Sequence, residues 1–474
     1  MLESNLEVSI INLSEIKKNS EIRIDSNFFA EEYLQLDSKL EQAITIDKIV
    51  ALSDVTSNGS FKTVSNILND SYPKEVPYIR SGNVGNTFLN TNELTKISKV
   101  AHNRLVASQT KLYDVMMARK GKIGGASIIT ENEVGFNCNE NVVKLTLLND
   151  EFNPFYFTTF FNSKYGLKQV ERFSTGNVQP WLSMFQIRRL KIPKLSKDFQ
   201  SKIEEIIRNA FRYKTLSDEK YNSAEEEFLG KLHFSVDDES FFGEQRSVKN
   251  LKEVQASNRF DAEYYQPKFE FLIQKIKEKS FDYLSNLVNI DKSIEPGSEF
   301  YEEKGIPFVR VSDINKFGIE DSKVYLSPEY FDSVISPKKD TILFSKDGTC
   351  GIAYKCEEDR NVITSSALLH LTKKDDIKID LDYLSLVLNS QIVQMQAERD
   401  AGGSIIKHWS VPQIELVLIP ILDESIQKNL GEQVRESFYL RKISMQLLKI
   451  AQSTVEIAIE EDELAALNFL ENSV

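Results

Sequence analysis

The chain carries one sequence block twice, and this duplication limits the folds that it can adopt. The first block opens Arg23-Ile-Asp-Ser-Asn-Phe-Phe29, and the second opens Arg259-Phe-Asp-Ala-Glu-Tyr-Tyr265. Asn162-Ser163 recurs as Asn389-Ser390, and the closing Ile192-Pro193 recurs as Ile419-Pro420, in both cases 227 residues later. Repeats of about 20 to 50 residues build solenoids, whereas a repeat of this length is a whole domain. The sequence therefore predicts two copies of one globular unit.

Composition is that of an ordinary globular protein. The chain has 474 residues, of which 41% are hydrophobic and 27% are charged, which suits two globular units with connecting segments. It contains no run of 18 apolar residues, and its N-terminal stretch lacks the basic start and apolar core of a signal peptide. Three cysteines and four histidines form neither a disulfide framework nor a zinc-ligand spacing. We expect a cytoplasmic protein with free thiols, no bound metal and no membrane contact.

The charge balance argues against nucleic-acid binding by bulk electrostatics. The net charge is -13, whereas contacts to phosphates require clustered lysines and arginines. A local basic run does exist, because residues 164–197 contain eight basic residues against the single acidic residue Glu171. The second copy lacks this imbalance, so the run favours DNA contact only modestly. A solvated helix face is the alternative interpretation.

Each copy alternates helical and strand patterns, which predicts an α+β fold. Residues 23–45 place Phe28, Phe29, Tyr33, Leu36 and Leu40 at helical spacing. Short β-branched and apolar runs follow, separated by Gly, Asn and Asp turns: 76–79, 115–118, 126–129 and 142–147. A helix over 155–170 and a closing strand over 190–192 complete the copy. The second copy repeats this order with helices over 262–278 and 380–396, strands over 284–371 and a closing strand over 417–419.

A long helix follows each copy, over residues 199–229 and 425–470. Apolar residues recur at mixed spacings of three and four with charged residues between them, which is typical of helix pairing. Two similar stripes can bury each other, so we predict an antiparallel coiled coil with pseudo-two-fold symmetry between two β-rich domains. About 31 residues span roughly 46 Å at about 1.5 Å per residue, comparable to the roughly 34 to 36 Å between DNA half-sites one turn apart. The predicted boundaries are 1–198 (first domain), 199–231 (first helix), 232–258 (acidic linker), 259–424 (second domain) and 425–474 (second helix and tail).

No catalytic signature stands out. The chain lacks a phosphate-binding Gly-Lys-Ser/Thr loop, a Gly-x-Ser-x-Gly elbow and a His-Glu-x-x-His motif. Asn153-Pro-Phe-Tyr156 is weakly similar to the element with which amino-group methyltransferases hold adenine, but its counterpart is Leu381-Asp-Tyr-Leu384 and no glycine-rich cofactor loop precedes it. We predict a protein without catalytic residues.

Turns that bear hydrogen-bond donors recur in both copies. Arg119-Lys-Gly-Lys-Ile-Gly124 and Ser345-Lys-Asp-Gly-Thr-Cys-Gly351 place glycines beside basic residues, so the backbone can approach a phosphate. Gly176-Asn-Val-Gln-Pro-Trp181 and Gly403-Ser-Ile-Ile-Lys-His-Trp409 combine flexible loops with side chains that match base edges. Hairpins with solvated lysines are the alternative. The flanking sequence of the two loops agrees, while the side chains within them differ most in chemistry. Two domains that recognise different DNA sequences would need this combination.

Seventeen residues are the predicted DNA contacts. In the first copy they are Arg80, Ser81, Asn83, Arg119, Lys120, Lys122, Asn177, Gln179 and Trp181; in the second they are Arg310, Ser312, Asp313, Lys346, Thr349, Ser404, Lys407 and His408.

The duplicated motifs resemble the specificity (S) subunit of Type I restriction-modification enzymes. The matching pieces are Arg-x-Asp-x-x-[Phe/Tyr]-[Phe/Tyr], Pro-[Tyr/Phe]-[Ile/Val]-Arg at Arg80 and Arg310, the glycine turns, and Ile-Pro before a long helix. The resemblance covers nearly the whole chain. It implies two target recognition domains that each read half of a split double-stranded DNA target, on a coiled coil that fixes the spacer.

The resemblance also implies partners and cofactors. Two methyltransferase (M) subunits would dock on the chain, and restriction (R) subunits would add translocation and cleavage in phage defence. S-adenosylmethionine, ATP and Mg²⁺ would serve those partners, and this chain would bind no cofactor. Two alternatives stay open: a specificity subunit whose partner fuses methylation and cleavage in one chain, and a coiled-coil adaptor that binds proteins and not DNA.

Overall fold

The computed structural model describes residues 9–18, 23–91, 94–121, 123–176, 179–235, 246–257, 259–320, 322–331, 334–403 and 406–473. The chain divides into two compact units: the first unit contains residues 1–212 and 443–474, and the second unit contains residues 213–442. The linear domain boundaries given above are a different partition and stay a prediction. No helix of the described residues is long and apolar enough to cross a membrane.

The first unit is built on a five-stranded sheet. Its strands are β1 Ile44–Thr45, β2 Val50–Ser53, β3 Lys74–Ile79, β4 Thr87–Phe88, β5 Thr95–Ser98, β6 Val115–Ala118, β7 Ala126–Ile128, β8 Asn137–Cys138, β9 Val142–Leu147 and β10 Lys191–Ile192. The large sheet has the order β2-β9-β6-β7-β4, beside a three-stranded sheet β5-β3-β8 and the pair β1-β10. Every residue of β6 is buried, as a continuous apolar run in a central strand requires. Its helices are α1 Leu13–Lys18, α2 Glu31–Lys39, α3 Phe61–Leu68, α4 Lys99–Arg104, α5 Pro154–Asn162, α6 Lys164–Phe173 and α7 Met184–Arg188.

Each of two long helices contributes residues to both units. The helix α8 spans Lys197–Lys231, and α16 spans Glu424–Glu460. The other helices are α9 Leu251–Ser257, α10 Pro267–Lys277, α11 Leu284–Leu287, α12 Pro328–Phe331, α13 Leu381–Asn389, α14 Gln391–Asp400, α15 Val411–Glu415 and, after α16, α17 Glu463–Ser473.

The second unit repeats the mixed architecture with two four-stranded sheets. Its strands are β11 Phe281–Tyr283, β12 Val288–Lys292, β13 Tyr301–Glu302, β14 Ile306–Val309, β15 Ile314–Asn315, β16 Gly318–Ile319, β17 Tyr325–Leu326, β18 Ile342–Ser345, β19 Ala353–Lys355, β20 Ile363–Thr364, β21 Leu368–Lys373 and β22 Leu418–Pro420. The sheets have the orders β12-β21-β18-β19 and β13-β17-β14-β20, beside the pairs β15-β16 and β11-β22. The α+β prediction is therefore confirmed in both units.

The motif that opens each copy is an ion pair that anchors the chain. Both carboxylate oxygens of Asp25 accept hydrogen bonds from the guanidinium of Arg23 at 2.8 Å. Arg259 and Asp261 form the same pair at 2.6 Å. A third nitrogen of each arginine donates to a backbone carbonyl at the C-terminal end of α6 or α14. The repeated Arg-x-Asp therefore ties the start of each copy to that helix.

The single helices predicted over 155–170 and 380–396 are each two helices. The break falls at the repeated Asn-Ser, where Ser163 and Ser390 have extended backbones. The side chain of Asn162 exchanges two hydrogen bonds of 2.8 Å with the backbone of Ala126, at the start of β7. Asn389 pairs with Ala353 at the start of β19 in the same way. Each asparagine therefore ties the break between its two helices to the first residue of a strand 36 positions earlier.

Asn153-Pro-Phe-Tyr156 is a structural cap. The Asn153 side-chain oxygen accepts from the backbone of Phe155 at 2.9 Å, which caps α5. The hydroxyl of the buried Tyr156 donates to the carbonyl of Pro193 at 2.8 Å. In the second copy Asp380 caps α13, and Tyr383 donates to the equivalent proline at 2.7 Å. The counterpart of the motif is therefore Asp380-Leu-Asp-Tyr383, one residue earlier than the Leu381–Leu384 stretch named from the sequence.

The long helices pack antiparallel within each unit, as predicted. In the first unit the Ser444 hydroxyl donates to the carbonyl of Ala210 at 2.7 Å, and Ser196, just before α8, contacts Glu463. In the second unit Ser437 donates to the carbonyl of Ser217 at 2.7 Å, and Gln433 donates to Glu227 at 2.9 Å. In both units, residues later in α8 contact residues earlier in α16, which defines antiparallel packing.

Each core contains the start of one long helix and the end of the other. The core of the first unit includes Ile203 and Ile207 of α8, together with Val455 of α16 and Leu470 of α17. The core of the second unit includes Leu430 and Val434 of α16, and Tyr221, Ala224 and Phe228 of α8. Neither unit therefore completes its core from one repeat alone.

One predicted helix differs from the structure. The helix predicted over 425–470 ends at Glu460, and α17 begins at Glu463 because the Asp462 carboxylate accepts from the backbone of Ala465 at 2.8 Å and starts a new helix. The predicted acidic linker over 232–258 begins with Leu232 and Phe234, which are buried in the second unit, and it contains α9. Its residues 236–245 lie outside the described residues.

The basic run over 164–197 is largely engaged within the first unit. Lys164 pairs with Glu460, Lys168 with Glu32, Arg172 with Asp37 and Lys194 with Glu151, while Lys197 donates to the carbonyl of Asp150. Glu460, the last residue of α16, is therefore a partner of this run. Both interpretations given above, a DNA-contacting surface and a solvated helix face, miss these intramolecular pairs.

Candidate nucleic-acid interface

In the first unit, the glycine turn after β6 is hydrogen-bonded to the loop after α6. Residues 119–121, 175–176 and 179–182 form what we call the first loop cluster. Leu182 donates its backbone N–H to the carbonyl of Arg119 at 2.8 Å, and Gly121 donates to Pro180 at 3.2 Å. Within the loop, Thr175 and Trp181 exchange backbone hydrogen bonds of 3.0 and 2.9 Å. Two segments that are distant in sequence are thus held as one surface.

The second unit builds the same arrangement from residues 346–348, 402–403 and 406–409, the second loop cluster. Trp409 donates to the carbonyl of Lys346 at 2.8 Å, and Gly348 donates to Lys407 at 2.8 Å. Gly402 and His408 exchange hydrogen bonds of 3.0 and 2.7 Å. Each of these residues lies 227 positions after its partner in the first cluster, so the backbone frame is duplicated.

A glycine is required at one position of each loop. Gly176 has φ +98°, and a Cβ there would lie 2.6 Å from the carbonyl oxygen of Gln179. Gly403 has φ +103°, and a Cβ would lie 2.1 Å from the carbonyl oxygen of Ile406. Both the positive φ and the close backbone approach exclude a side chain. This explains why both loops carry a glycine while the residues after it differ.

The exposed side chains of the first cluster suit nucleic acid. Lys120 and Gln179 are exposed, and Trp181 is 44% exposed. A Cβ on Gly121 would lie 3.6 Å from the Gln179 amide nitrogen and 4.0 Å from the Ser81 hydroxyl, so these residues are neighbours. An ammonium, an amide, a hydroxyl and an indole supply phosphate, base-edge and stacking contacts.

A surface cavity of about 270 Å³ lies at this cluster. It is lined by Arg119, Lys120, Glu140, Asn141 and Trp181. Sequence reasoning missed Glu140 and Asn141, because they follow β8 and no motif marks that turn. Their carboxylate and amide add hydrogen-bond acceptors and donors beside the indole.

Arg119 is engaged inside the protein. Its guanidinium donates to the carbonyl of Glu140 at 2.8 Å and to that of Leu182 at 3.2 Å, and it pairs with the fully buried carboxylate of Asp54 at 3.0 Å. The predicted contact residue therefore holds the cluster together. No sequence signal linked Asp54, 65 positions earlier, to this arginine.

The second cluster has different chemistry. Asp347 pairs with Lys346 and accepts from His408, whose Nδ1 lies 2.9 Å from Asp347 Oδ1. Lys407 and Thr349 are exposed, as is the imidazole of His408. Asp347 was missed as a site residue, although it stands in the quoted Lys-Asp-Gly turn. Burial raises the pKa of the neighbouring Cys350 thiol to about 11, so the thiol stays protonated at neutral pH.

The predicted Arg80 and Arg310 segments form short 3-10 helices, Ser81–Asn83 and Val311–Asp313. Asn83 is buried, and its oxygen accepts from the backbone of Arg80 at 2.9 Å. Asp313 accepts from the backbone of Arg310 at the same distance. Asn83 and Asp313 therefore shape the turns. Arg80 and Ser312 are exposed, while Arg310 is half-buried.

Three predicted contacts, Lys122, Asn177 and Ser404, lie outside the described residues. Among the residues that are described, no cluster of three or more His, Cys, Asp or Glu side chains could hold a metal ion.

These features define a class of protein: a chain with two copies of one α+β unit, which present equivalent loop clusters with different side chains. The sequence model of the family described as "Type I restriction modification DNA specificity domain" matches residues 48–226 and 279–434. The chain belongs to this family. It is a DNA-specificity subunit of a Type I restriction-modification system, the non-catalytic recognition component.

The chain is also similar to solved structures. The S subunit of a Type I restriction-modification system from M. genitalium is 14% identical over 89% of this chain and 95% of that chain, with a TM-score of 0.36. The HsdS subunit from Thermoanaerobacter tengcongensis is 14% identical over 91% and 96%, with a TM-score of 0.25. A chain from a study of complex assembly and conformational transition of the Type I system is 12% identical over 91% and 96%, with a TM-score of 0.26. No curated protein sequence matches the chain.

Proposed function

We propose that the first loop cluster reads one half of a bipartite double-stranded DNA target and that the second cluster reads the other half. In the first unit Lys120, Gln179, Trp181 and Ser81 are the contacts, with Arg80 beside them. In the second unit Ser312, Thr349, Lys407 and His408 are the contacts, together with Arg310. Arg119, Asn83 and Asp313 support these surfaces from within.

The observation that carries this proposal is the contrast between a duplicated backbone and unlike side chains. The bridge between residues 120 and 181 recurs between residues 347 and 408. Yet Lys120 and Trp181 are replaced by Asp347 and His408. Hydrogen-bond donors and acceptors on side chains decide which base edge is accepted, so one frame with two sets of side chains supports reading of two different sequences.

The proposal extends to partners and cofactors. Two methyltransferase subunits dock on the chain and use S-adenosylmethionine, while restriction subunits use ATP and Mg²⁺. This chain holds none of these cofactors. The assembly works in the cytoplasm, where the chromosomal DNA to be methylated and the phage DNA to be cleaved are both found.

Mapping of methylated adenines tests the proposal. The chain is expressed with its methyltransferase in a host without other adenine methylation, and modified sites are read along the genome. The wild-type chain should give a split motif. Lys120→Ala with Trp181→Ala should relax or weaken recognition of one half only, because each lost base or phosphate contact costs about 1 to 3 kcal/mol. Lys407→Ala with His408→Ala should affect the other half.

Lys428→Ala is the matched control, since it removes an exposed cation from α16 outside both clusters. It should leave both halves unchanged. If the two double variants altered the same half, or if no split motif appeared, the assignment of one cluster to each half would be wrong.

A further inference from the structure

A hairpin in the second unit inserts its tip between the two long helices. The tip is Lys316–Phe317, between β15 and β16. The Phe317 ring centroid lies 5.6 Å from that of Tyr221 on α8 and 5.5 Å from that of Phe438 on α16. The guanidinium of Arg441 lies 4.2 Å above the Phe317 ring. The Phe317 ring therefore contacts side chains from both long helices.

Charged side chains also hold the tip against the two helices. The Lys316 ammonium lies 3.8 Å from the centroid of the Tyr221 ring, a cation–π contact. Burial lowers the pKa of Lys316, and the carboxylates of Glu225 and Asp218 oppose that effect. Arg441 forms an ion pair with Asp218. A lysine is rarely buried unless it is compensated, and here the compensation comes from the long helices.

The first unit makes an equivalent contact with different residues. Its tip is Asn86–Phe88, and Phe88 lies 5.5 Å from Phe211 on α8. Phe211 stands 227 positions before Phe438. The side-chain oxygen of Asn86 accepts from the side-chain amide of Gln452 on α16 at 2.7 Å. The contact to both helices is therefore duplicated even though its polar part is not.

Each tip is joined directly to a proposed DNA-contact segment. Asn83, the last residue of the first 3-10 helix, accepts at its carbonyl from Asn90 across the hairpin at 2.8 Å. Asp313 accepts from Glu320 at 2.7 Å in the second unit. Phe88 follows Asn83 by five positions, and Phe317 follows Asp313 by four. A displacement of the tip is therefore transmitted to the segment that carries Arg80 or Arg310.

We infer that the two tips are positioning elements that fix how the Arg80 and Arg310 segments are presented to DNA. Phe88 and Phe317 then act on sequence specificity through the helices, without contacting a base. This inference rests on the proposed function and adds residues that no specificity motif marks. A well-oriented contact is sensitive to misplacements of about 1 Å, so loosening a tip weakens discrimination in its own half-site.

The experiment measures methylation rates of the complete complex on three DNAs: the full target and two targets with one base pair changed in one half. Discrimination is the ratio of the rate on the full target to the rate on a changed target. Phe317→Ala should lower discrimination in the half read by the second unit by about tenfold, since one recognised base pair is worth about 1 to 3 kcal/mol. Discrimination in the other half should stay unchanged. Phe88→Ala should give the mirror result.

Variants on the helix side and at the surface complete the design. Phe438→Ala removes the ring on α16 that contacts Phe317. It should reproduce the effect of Phe317→Ala. Phe61→Ala and Tyr330→Ala remove exposed aromatic residues and should change neither half. Phe317→Leu keeps an apolar tip and should restore part of the discrimination.

The outcomes distinguish a failure of the proposed function from a failure of the inference about the hairpin tips. If the wild-type complex shows no split-site discrimination, the proposed function fails. If the wild type discriminates and Phe317→Ala does so equally well, the tips do not position the segments. Equal losses in both halves, together with a lower melting temperature, would mean that the aromatic contact serves only general stability and would also overturn the inference.

Discussion

Arg119 and Lys346 occupy equivalent places, yet they use their charge differently. Arg119 satisfies two carbonyls and the buried Asp54, whereas Lys346 pairs with Asp347 next to it. A guanidinium has five donors in a fixed fork, which suits such a junction, and an ammonium is a point charge. The sequence marks basic residues in a glycine turn at both places, but sequence alone could not say which of them faces solvent.

At the same scale, Lys316 predicts a pH-dependent stability. Burial raises the pKa of Glu225, and Lys316 opposes this. In Lys316→Met that carboxylate loses its main compensating charge, so its pKa rises further. A raised carboxyl pKa penalises the folded state above that pKa and not below the unfolded value. Lys316→Met should thus be less stable than the wild type by about 1 to 2 kcal/mol at pH 8, since a further rise of one unit in a carboxyl pKa costs about 1.4 kcal/mol, and by less near pH 5.

Urea unfolding of both proteins at pH 5 and pH 8 measures this difference. The other charged groups near Glu225 and Lys316 are Asp218, Glu226 and Arg441, and they are common to both proteins. Lys316→Met combined with Glu225→Gln is the control, and its difference from the wild type should no longer grow with pH. A destabilisation that is the same at both pH values would contradict the electrostatic explanation.

Among the elements, those with dense local patterns were predicted well. The strands Val115–Ala118 and Val142–Leu147 have the predicted bounds, because their apolar runs end at turn residues. The breaks at Ser163 and Ser390 were missed, since they depend on hydrogen bonds from Asn162 and Asn389 to strands far along the chain. The hairpin tips were missed for the same reason: only the folded helices show what Phe88 and Phe317 contact.

The candidate site was predicted in outline. Both loop regions of each copy were identified, and the structure brings them together in each unit through backbone hydrogen bonds. The sequence did not show which of these residues support the loops from within and which are exposed. Asn83, Asp313 and Arg119 have the same polar character as the exposed residues of the loops. Burial and hydrogen-bond partners decide between the two roles, and neither can be read from residue type.

The end of α16 is the element whose removal should have the most informative effect. A chain that stops after Lys442 lacks Val455 and Leu470, which belong to the core of the first unit, while residues 213–442 remain complete. Loss of several buried apolar side chains costs about 2 to 5 kcal/mol each. The first unit should therefore unfold, although no residue of its recognition loops is removed.

Limited proteolysis followed by mass spectrometry measures this prediction. Cleavage should spread through residues 44–192 and spare the region from β11 to β22. A chain that stops after Glu461 is the control, because it removes α17 and keeps α16, and it should show weaker cleavage. Protection of residues 44–192 in the shorter chain would show that the first unit does not need the end of α16.

For the whole molecule, the defining feature is that both long helices enter both units. We propose that the two helices set the distance between the two DNA half-sites. They pack antiparallel in each unit through pairs such as Ala210 with Ser444 and Ser217 with Ser437. A change in helix length must keep these pairs in register. Equal insertions in both helices should therefore be tolerated, whereas an insertion in one helix should not.

We predict that seven residues inserted after Arg212 and seven after Lys442 lengthen the spacer between the half-sites and leave the half-sites themselves unchanged. Seven residues add about 10 Å of helix and nearly two full turns, which keeps the apolar stripe in phase. At about 3.4 Å per base pair the spacer should grow by about three, with weaker binding because the DNA also rotates. Methylation of a library of spacer lengths measures the change, and four residues inserted in α8 alone should abolish activity by shifting Ser217 away from Ser437. Methylation at the original spacer by the matched variant would mean that the helices do not set the separation.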